Sequence, residues 1–122
     1  MGEQLMEKVQ NYLDLNHKYL DEAEALIQKG DYVQASEKFW GAAAEMVKAI
    51  AARRRKRLKS HAKLYQFVTS LSQELNAPEL LRLFAAVSAL HQNFYENWLP
   101  PEMVIDYGKA VKELVTKLEK VT

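Results

Sequence analysis

An all-α fold, a bundle of about five helices, is what the sequence predicts, and three observations predict it. Apolar residues recur at helical spacing almost throughout the chain. No segment alternates polar and apolar residues with period two over a useful length. Only four glycines and three prolines punctuate 122 residues, which favours long helices over many short strands. With 48% hydrophobic and 27% charged residues, the composition is that of an ordinary globular protein, and the length suits one domain spanning residues 1–122.

The first helix carries Leu5, Val9, Leu13, Tyr19, Leu20, Ala23 and Ile27 and stops at "KGD", where Gly30 suits a helix C′ position and Asp31 the next N-cap. The second carries Tyr32, Ala35, Phe39, Ala43, Met46, Val47 and Ile50 and then enters the basic stretch "RRRKRLKSH" at 53–61. The third, with Leu64, Phe67, Val68, Leu71 and Leu75, ends at "NAP", where Pro78 can open a fourth. The fourth runs through Leu80, Phe84, Val87, His91, Phe94 and Trp98 until "LPPE" ends it; the last holds Val104, Tyr107, Val111, Leu114 and Leu118. Joined, the second and third helices would run well beyond the roughly 8–20 residues of a typical globular helix, so a break is expected near Ser60, with Ser60 as N-cap and His61 in the first turn that follows. Short loops imply an up-and-down bundle with mostly antiparallel neighbours.

The absence of cysteine excludes disulfides and thiolate metal sites and fits a reducing cytoplasm. No apolar run approaches the roughly 18 residues of a membrane span, and the acidic start "MGEQLMEKVQ" is no signal peptide. The expectation is a cytoplasmic protein with no membrane partner.

The net charge of +1 hides an asymmetry. No acid lies between Glu45 and Glu74, yet Arg53, Arg54, Arg55, Lys56, Arg57, Lys59 and Lys63 fall within eleven residues. The other ten cations face 16 acids, so a mildly acidic body carries one concentrated basic patch. Continued at about 100° per residue, the core stripe of the second helix puts Arg54, Arg57 and, if the helix persists, His61 on the inward face. An arginine there must reach solvent, pair with an acid or bind an anion. Charge runs at helix ends are common, and cations there complement the helix dipole. So many cations without one interleaved acid repel one another, however, and stability alone gives no reason for them. A phosphate-binding surface does, since arginine and lysine neutralise phosphates with salt-dependent, largely sequence-independent affinity. RNA or another phosphoanion is the expected ligand. His61 amid these cations is a candidate general base or acid, with Arg54, Arg55 or Arg57 as candidate phosphate clamp, for RNA cleavage in which the ribose 2′-OH attacks its own phosphate.

Other chemistry finds little footing. A dimetal carboxylate bundle needs two Glu-x-x-His motifs, and the nearest relative is a lone Asp14-x-x-His17, so neither a metal nor a cofactor is expected. There is no Gly-rich phosphate loop and no nucleophile elbow. His91 continues an apolar stripe and reads as a core or interface histidine, while Trp40, Trp98 and "NFYENW" form an aromatic concentration that belongs to the core or a dimer face, most of it to the monomer core. "GDYVQASEKFWGAA" looks like the joint of a tetratricopeptide hairpin, but no 34-residue repeat follows.

"YLDEAEALIQKGDYVQASEKFWGAAAEMVKAIAARR", the histidine of "KSHAKL" and "ALHQNFYENWLPPEMV", in this order, resemble the archaeal PaREP family, usually grouped with the HEPN helical-bundle superfamily. The resemblance covers about Asn16 to Lys120 and implies a small HEPN-like bundle that forms a homodimer. Many members of that superfamily are metal-independent RNases; others are non-catalytic partners or substrate-binding subunits of nucleotidyltransferases. Active members carry an arginine, four to six residues and then a histidine. Mapped here the histidine is His61, with Arg54 six and Arg55 five intervening residues before it, while the commonest spacing falls on Lys56.

Overall fold

The computed structural model describes residues 2–121. It is all-α, with five helices: α1 (Gly2–Gln28), α2 (Tyr32–Arg53), α3 (His61–Glu74), α4 (Glu79–Glu96) and α5 (Pro101–Glu119). No helix among the described residues is long and apolar enough to cross a membrane.

The punctuation acts through backbone hydrogen bonds. At the end of α1, Gly30 adopts φ +77°, the Gly30 N–H donates to the Ile27 carbonyl and the Asp31 N–H to that of Leu26. This is a Schellman closure, and the Asp31 carboxylate then caps α2 by accepting the Gln34 N–H. Asn76, with φ 50°, closes α3 the same way: the Ala77 N–H donates to the Ser72 carbonyl. α4 stops at Glu96, before "LPPE", where Asn97 turns left-handed at φ 52°; Pro101 then opens α5 at a position whose N–H would have no helical partner anyway.

The core is built around α2, which buries an alanine-rich face together with Phe39, Trp40, Met46, Val47 and Ile50. Small side chains let other helices approach closely. α1 lies antiparallel along α2: Val9 meets Ala49 and Ala52, buried Asn16 donates its Nδ2–H to the Ala42 carbonyl at 2.7 Å, and Glu22 pairs with Lys38. α5 brings Gly108 against the Phe39 ring, and α4 crosses near Ser36 through buried Asn93.

Two expectations are revised here. The helical stripe does not carry Arg54, Arg57 and His61 inward, because α2 ends at Arg53: Arg55 takes φ 60°, the Arg55 N–H donates to the Ala52 carbonyl and the Lys56 N–H to that of Ala51. A third Schellman closure therefore stops the helix on an arginine instead of a glycine or an asparagine. The up-and-down pattern also fails between α2 and α3. His61, which opens α3, touches Trp40, midway along α2, whereas Glu74, which closes α3, bonds Arg54 at the end of α2. The two helices run in the same sense, so residues 54–60 form a strap that returns along α2 past Lys48 and Ala44. With about 1.5 Å of rise per helical residue, the strap covers some 15–20 Å in seven residues and is extended for most of its length. The period-3.6 signal carries no information on this reversal.

A third expectation is also revised. Of the aromatic residues, Trp40 and Phe84 are core, but Tyr95 and Trp98 are 69% and 59% exposed. The α4–α5 corner is held by Asn93, whose Oδ1 accepts the Trp98 and Leu99 N–H groups, and the Trp98 ring is left outside.

Candidate nucleic-acid interface

The strap distributes the basic residues rather than gathering them. Arg53 lies beside Leu5 and Val9 of α1, and Arg55, turned by its left-handed backbone, beside Leu5 and Lys8. Lys56, Arg57 and Lys63 line an open groove of about 410 Å³ together with Gln66, Phe67 and Ser70 of α3. The Lys56 ammonium lies 5.9 Å from the centre of the Phe67 ring, and the Arg54 guanidinium lies 6.0 Å from it. Lys59 goes with His61 into a smaller pocket of about 240 Å³ against α2, walled by Trp40 and Lys48.

Arg54 is committed elsewhere. Its guanidinium grips the Glu74 carboxylate in a two-pronged bond, Nη1–Oε1 3.0 Å and Nη2–Oε2 2.7 Å. The hydrogen bond from Arg54 holds the Glu74 carboxyl below its ordinary range, with Arg54 and Lys56 charges adding to it, and the same bond raises Arg54. Glu74 lies thirteen residues beyond His61, hence about 20 Å along α3 and about 140° around it. Arg54 and His61 therefore occupy different faces of α3, and Arg55 faces α1. The cations that share a pocket with His61 are Lys59 and Lys48. Among the described residues no carboxylate lies within ion-pair reach of Arg53, Arg55, Lys56, Arg57, Lys59 or Lys63.

Ser60 accepts the Lys63 N–H at 3.2 Å and so caps α3, which sets His61 as the first helical residue with its ring turned back over α2. There it enters a cluster of rings. The His61 and His91 ring centres are 4.9 Å apart at 85°; Trp40 meets His61 edge-on at 5.2 Å and stacks on His91 at 4.5 Å; Tyr95 meets His91 edge-on at 5.4 Å. The His91 Nδ1 lies 2.9 Å from Glu37 Oε1. A carboxylate only accepts, so Nδ1 is the donor, and in the neutral ring Nε2 is the nitrogen with the lone pair.

His91, Glu37, Trp40 and Lys48 thus stand beside His61, and none of them was a site candidate from sequence. Helical spacing does place Glu37, Trp40, Ala44 and Lys48 along one side of α2. What brings His61 and His91 to that side is the strap and the crossing of α4, which spacing does not encode. Asp14 and His17 are both exposed on α1, and among the described residues no three His, Asp or Glu side chains converge as a metal-binding set.

Residues 11–115 match the model of the archaeal PaREP1/PaREP8 family. The chain belongs to that family. The crystal structure of a Sulfolobus solfataricus protein superposes on this PaREP1/PaREP8 chain with a TM-score of 0.77 and 27% identity, covering 87% of this chain and 94% of that one. No curated protein matches. The family match takes in the strap, the first turn of α3 and the whole ring cluster of this PaREP1/PaREP8 bundle.

Proposed function

We propose that this protein binds RNA or a related nucleotide phosphate along the strap and the first turn of α3, through Arg53, Arg55, Lys56, Arg57, Lys59 and Lys63, with Arg54 as the buttress that ties the strap to α3. The observation that carries the reading is the weakly neutralised charge on an anchored segment: among the described residues none of these six cations makes an ion pair with a carboxylate, and the backbone is fixed at one end by the Schellman closure and at the other by the Ser60 cap. An ordered cationic surface loses little side-chain and backbone freedom on binding a polyanion, and each phosphate it neutralises releases counterions. The groove over Phe67 supplies three of these cations in one place.

Anisotropy of a labelled single-stranded RNA, titrated at several salt concentrations, tests this. If four or five phosphates are neutralised, log K falls against log salt with a slope of about −3, from roughly −0.7 per phosphate on single strands. The triple variant Lys56→Ala, Arg57→Ala, Lys63→Ala then flattens that slope by about 2. Binding that is absent, or insensitive to salt, rejects the proposal.

The finer class we propose is a HEPN-like bundle acting as a homodimer. Exposed Tyr95 and Trp98, flanking the α4–α5 corner, support a surface that another chain covers. Sedimentation of the wild type and of Trp98→Ser measures it: a dimer that the substitution dissociates upholds the proposal, and a wild-type monomer rejects it. The same two rings favour a second reading, a non-catalytic subunit that engages a nucleotidyltransferase. A complex with such an enzyme that persists at high salt and fails to form with Trp98→Ser would support that alternative.

A further inference from the structure

We propose that His91, held by Glu37, is the proton-transfer partner of His61 in a two-histidine centre that cleaves RNA, a role that rests on the RNA-binding reading above. Along its own helix His91 only continues an apolar stripe. In the structure it faces the histidine that opens α3, across a shared tryptophan.

Four features carry the inference. First, two imidazoles from different helices lie with ring centres 4.9 Å apart, close enough for both to reach oxygens on one phosphorus at hydrogen-bond distances of about 2.6–3.2 Å. Second, the rings are held rather than loose: Trp40 stacks on one and meets the other edge-on, and the Ser60 cap sets the helix start that bears His61. Third, the 2.9 Å bond from His91 Nδ1–H to Glu37 fixes the tautomer, leaves Nε2 as the basic nitrogen, and places a carboxylate where it stabilises the imidazolium formed when Nε2 takes a proton. The His91 side chain is 18% exposed, enough to admit a substrate atom while sheltering the bond to Glu37. Fourth, Lys59 and Lys48 stand at the His61 pocket as the cations for a phosphate there, the former on the strap and the latter shared with Glu45 at 3.5 Å. The charged and titratable groups around the pair are thus Glu37, Lys48 and its partner Glu45 from α2, Lys59 from the strap and Tyr95 from α4.

The step balances without an added reagent. His91 Nε2 accepts the proton of a ribose 2′-OH, whose oxygen forms a bond to the adjacent phosphorus. The bond from phosphorus to the 5′-oxygen breaks as His61 donates a proton to that oxygen. The products are a 2′,3′-cyclic phosphate and a free 5′-hydroxyl, and one proton has passed from His61 to substrate and one from substrate to His91. The lysines offset charge that builds on the non-bridging oxygens. Glu37 acts through His91 and is a positioning residue.

The experiment uses the full chain, chelator, and an end-labelled single-stranded RNA in two forms, one natural and one with its scissile 5′-oxygen replaced by sulfur. Expected is cleavage to a cyclic phosphate, reduced about 10²–10⁴-fold in His61→Ala and in His91→Gln, with RNA affinity kept. The sulfur-bridged substrate, whose thiolate leaves without a proton, restores the rate of His61→Ala and not that of His91→Gln. Glu37→Gln, which keeps an acceptor oxygen but loses the charge, lowers kcat about tenfold at unchanged KM. If His91→Gln fails to fold by circular dichroism, Glu37→Gln carries the test through that split. Wild-type protein that binds RNA and yields no cyclic phosphate overturns the inference and leaves the binding reading standing. So does cleavage unchanged in Glu37→Gln. Absence of binding overturns both.

Discussion

Gly108→Ala tests how closely α2 and α5 are packed. In an unconstrained helix interior alanine outperforms glycine by about 0.8–1.0 kcal/mol. Here a Cβ would lie 2.7 Å from both Cε2 and Cζ of Phe39 and 3.3 Å from its Cδ2, against the roughly 3.5–4.0 Å of a relaxed carbon contact. The ring must withdraw by about 1 Å, and at 2% exposure it has only other core side chains to move against. Overpacking costs about 1–3 kcal/mol, and a contact this short against a buried ring belongs to the upper half of that range, so after the helix-propensity gain the variant loses about 1–2 kcal/mol, or a fall in Tm of roughly 3–10 °C. Urea denaturation with the slope unchanged measures it. In a Phe39→Leu background the added methyl has room, and the same substitution becomes neutral or stabilising, a coupling of about 1 kcal/mol or more in the double-mutant cycle. A Gly108→Ala protein as stable as the wild type would refute the reasoning, since it would mean that the ring yields freely.

Three further predictions follow from the caps and the strap. Arg55→Gly relieves a left-handed residue that carries a side chain and stabilises the fold by about 1 kcal/mol in thermal melts, while flattening the RNA salt slope by less than 1. Asn93→Ala leaves the Trp98 and Leu99 N–H groups and Ser36 without their partner and destabilises by about 2–4 kcal/mol in urea titration, with loss of the near-ultraviolet Trp98 signal. Glu74→Gln acts through a carboxyl held below its ordinary range, so the bridge to Arg54 contributes above the unfolded carboxyl pKa and is lost as pH falls through the lower folded one. Wild type and variant should therefore differ in Tm at pH 7 and converge on acidification; a gap that persists at pH 2 contradicts that assignment.

Most of the fold was legible because helix ends are written locally. Gly30, Asp31, Ser60 and Pro101 each mark a boundary by a backbone preference that needs no tertiary information. Arg55 was not legible, because an arginine at φ 60° is set by closing hydrogen bonds to Ala51 and Ala52 rather than by its own preference. The direction of α3 was illegible for a related reason, since a seven-residue link permits either sense. The candidate site suffered most from this. His61 was found as a residue, but its partners Trp40, Glu37 and His91 reach it only through the returning strap, while Arg54 goes to Glu74, Arg55 to α1 and Arg57 to the groove over Phe67.

The strap also works as a ruler. Both of its ends are tied to fixed marks, Arg54 to Glu74 and His61 to Trp40, and its extended backbone has little slack between them. Deleting one residue would shorten it by about 3.4 Å, while a helix can advance only in steps of about 1.5 Å coupled to a 100° rotation. No single shift of α3 keeps both ties. Length in this segment is therefore constrained far more tightly than residue type: substitutions should be absorbed along most of it, whereas one insertion or deletion would force α3 to surrender either the Glu74 tie or the seat of His61 on Trp40.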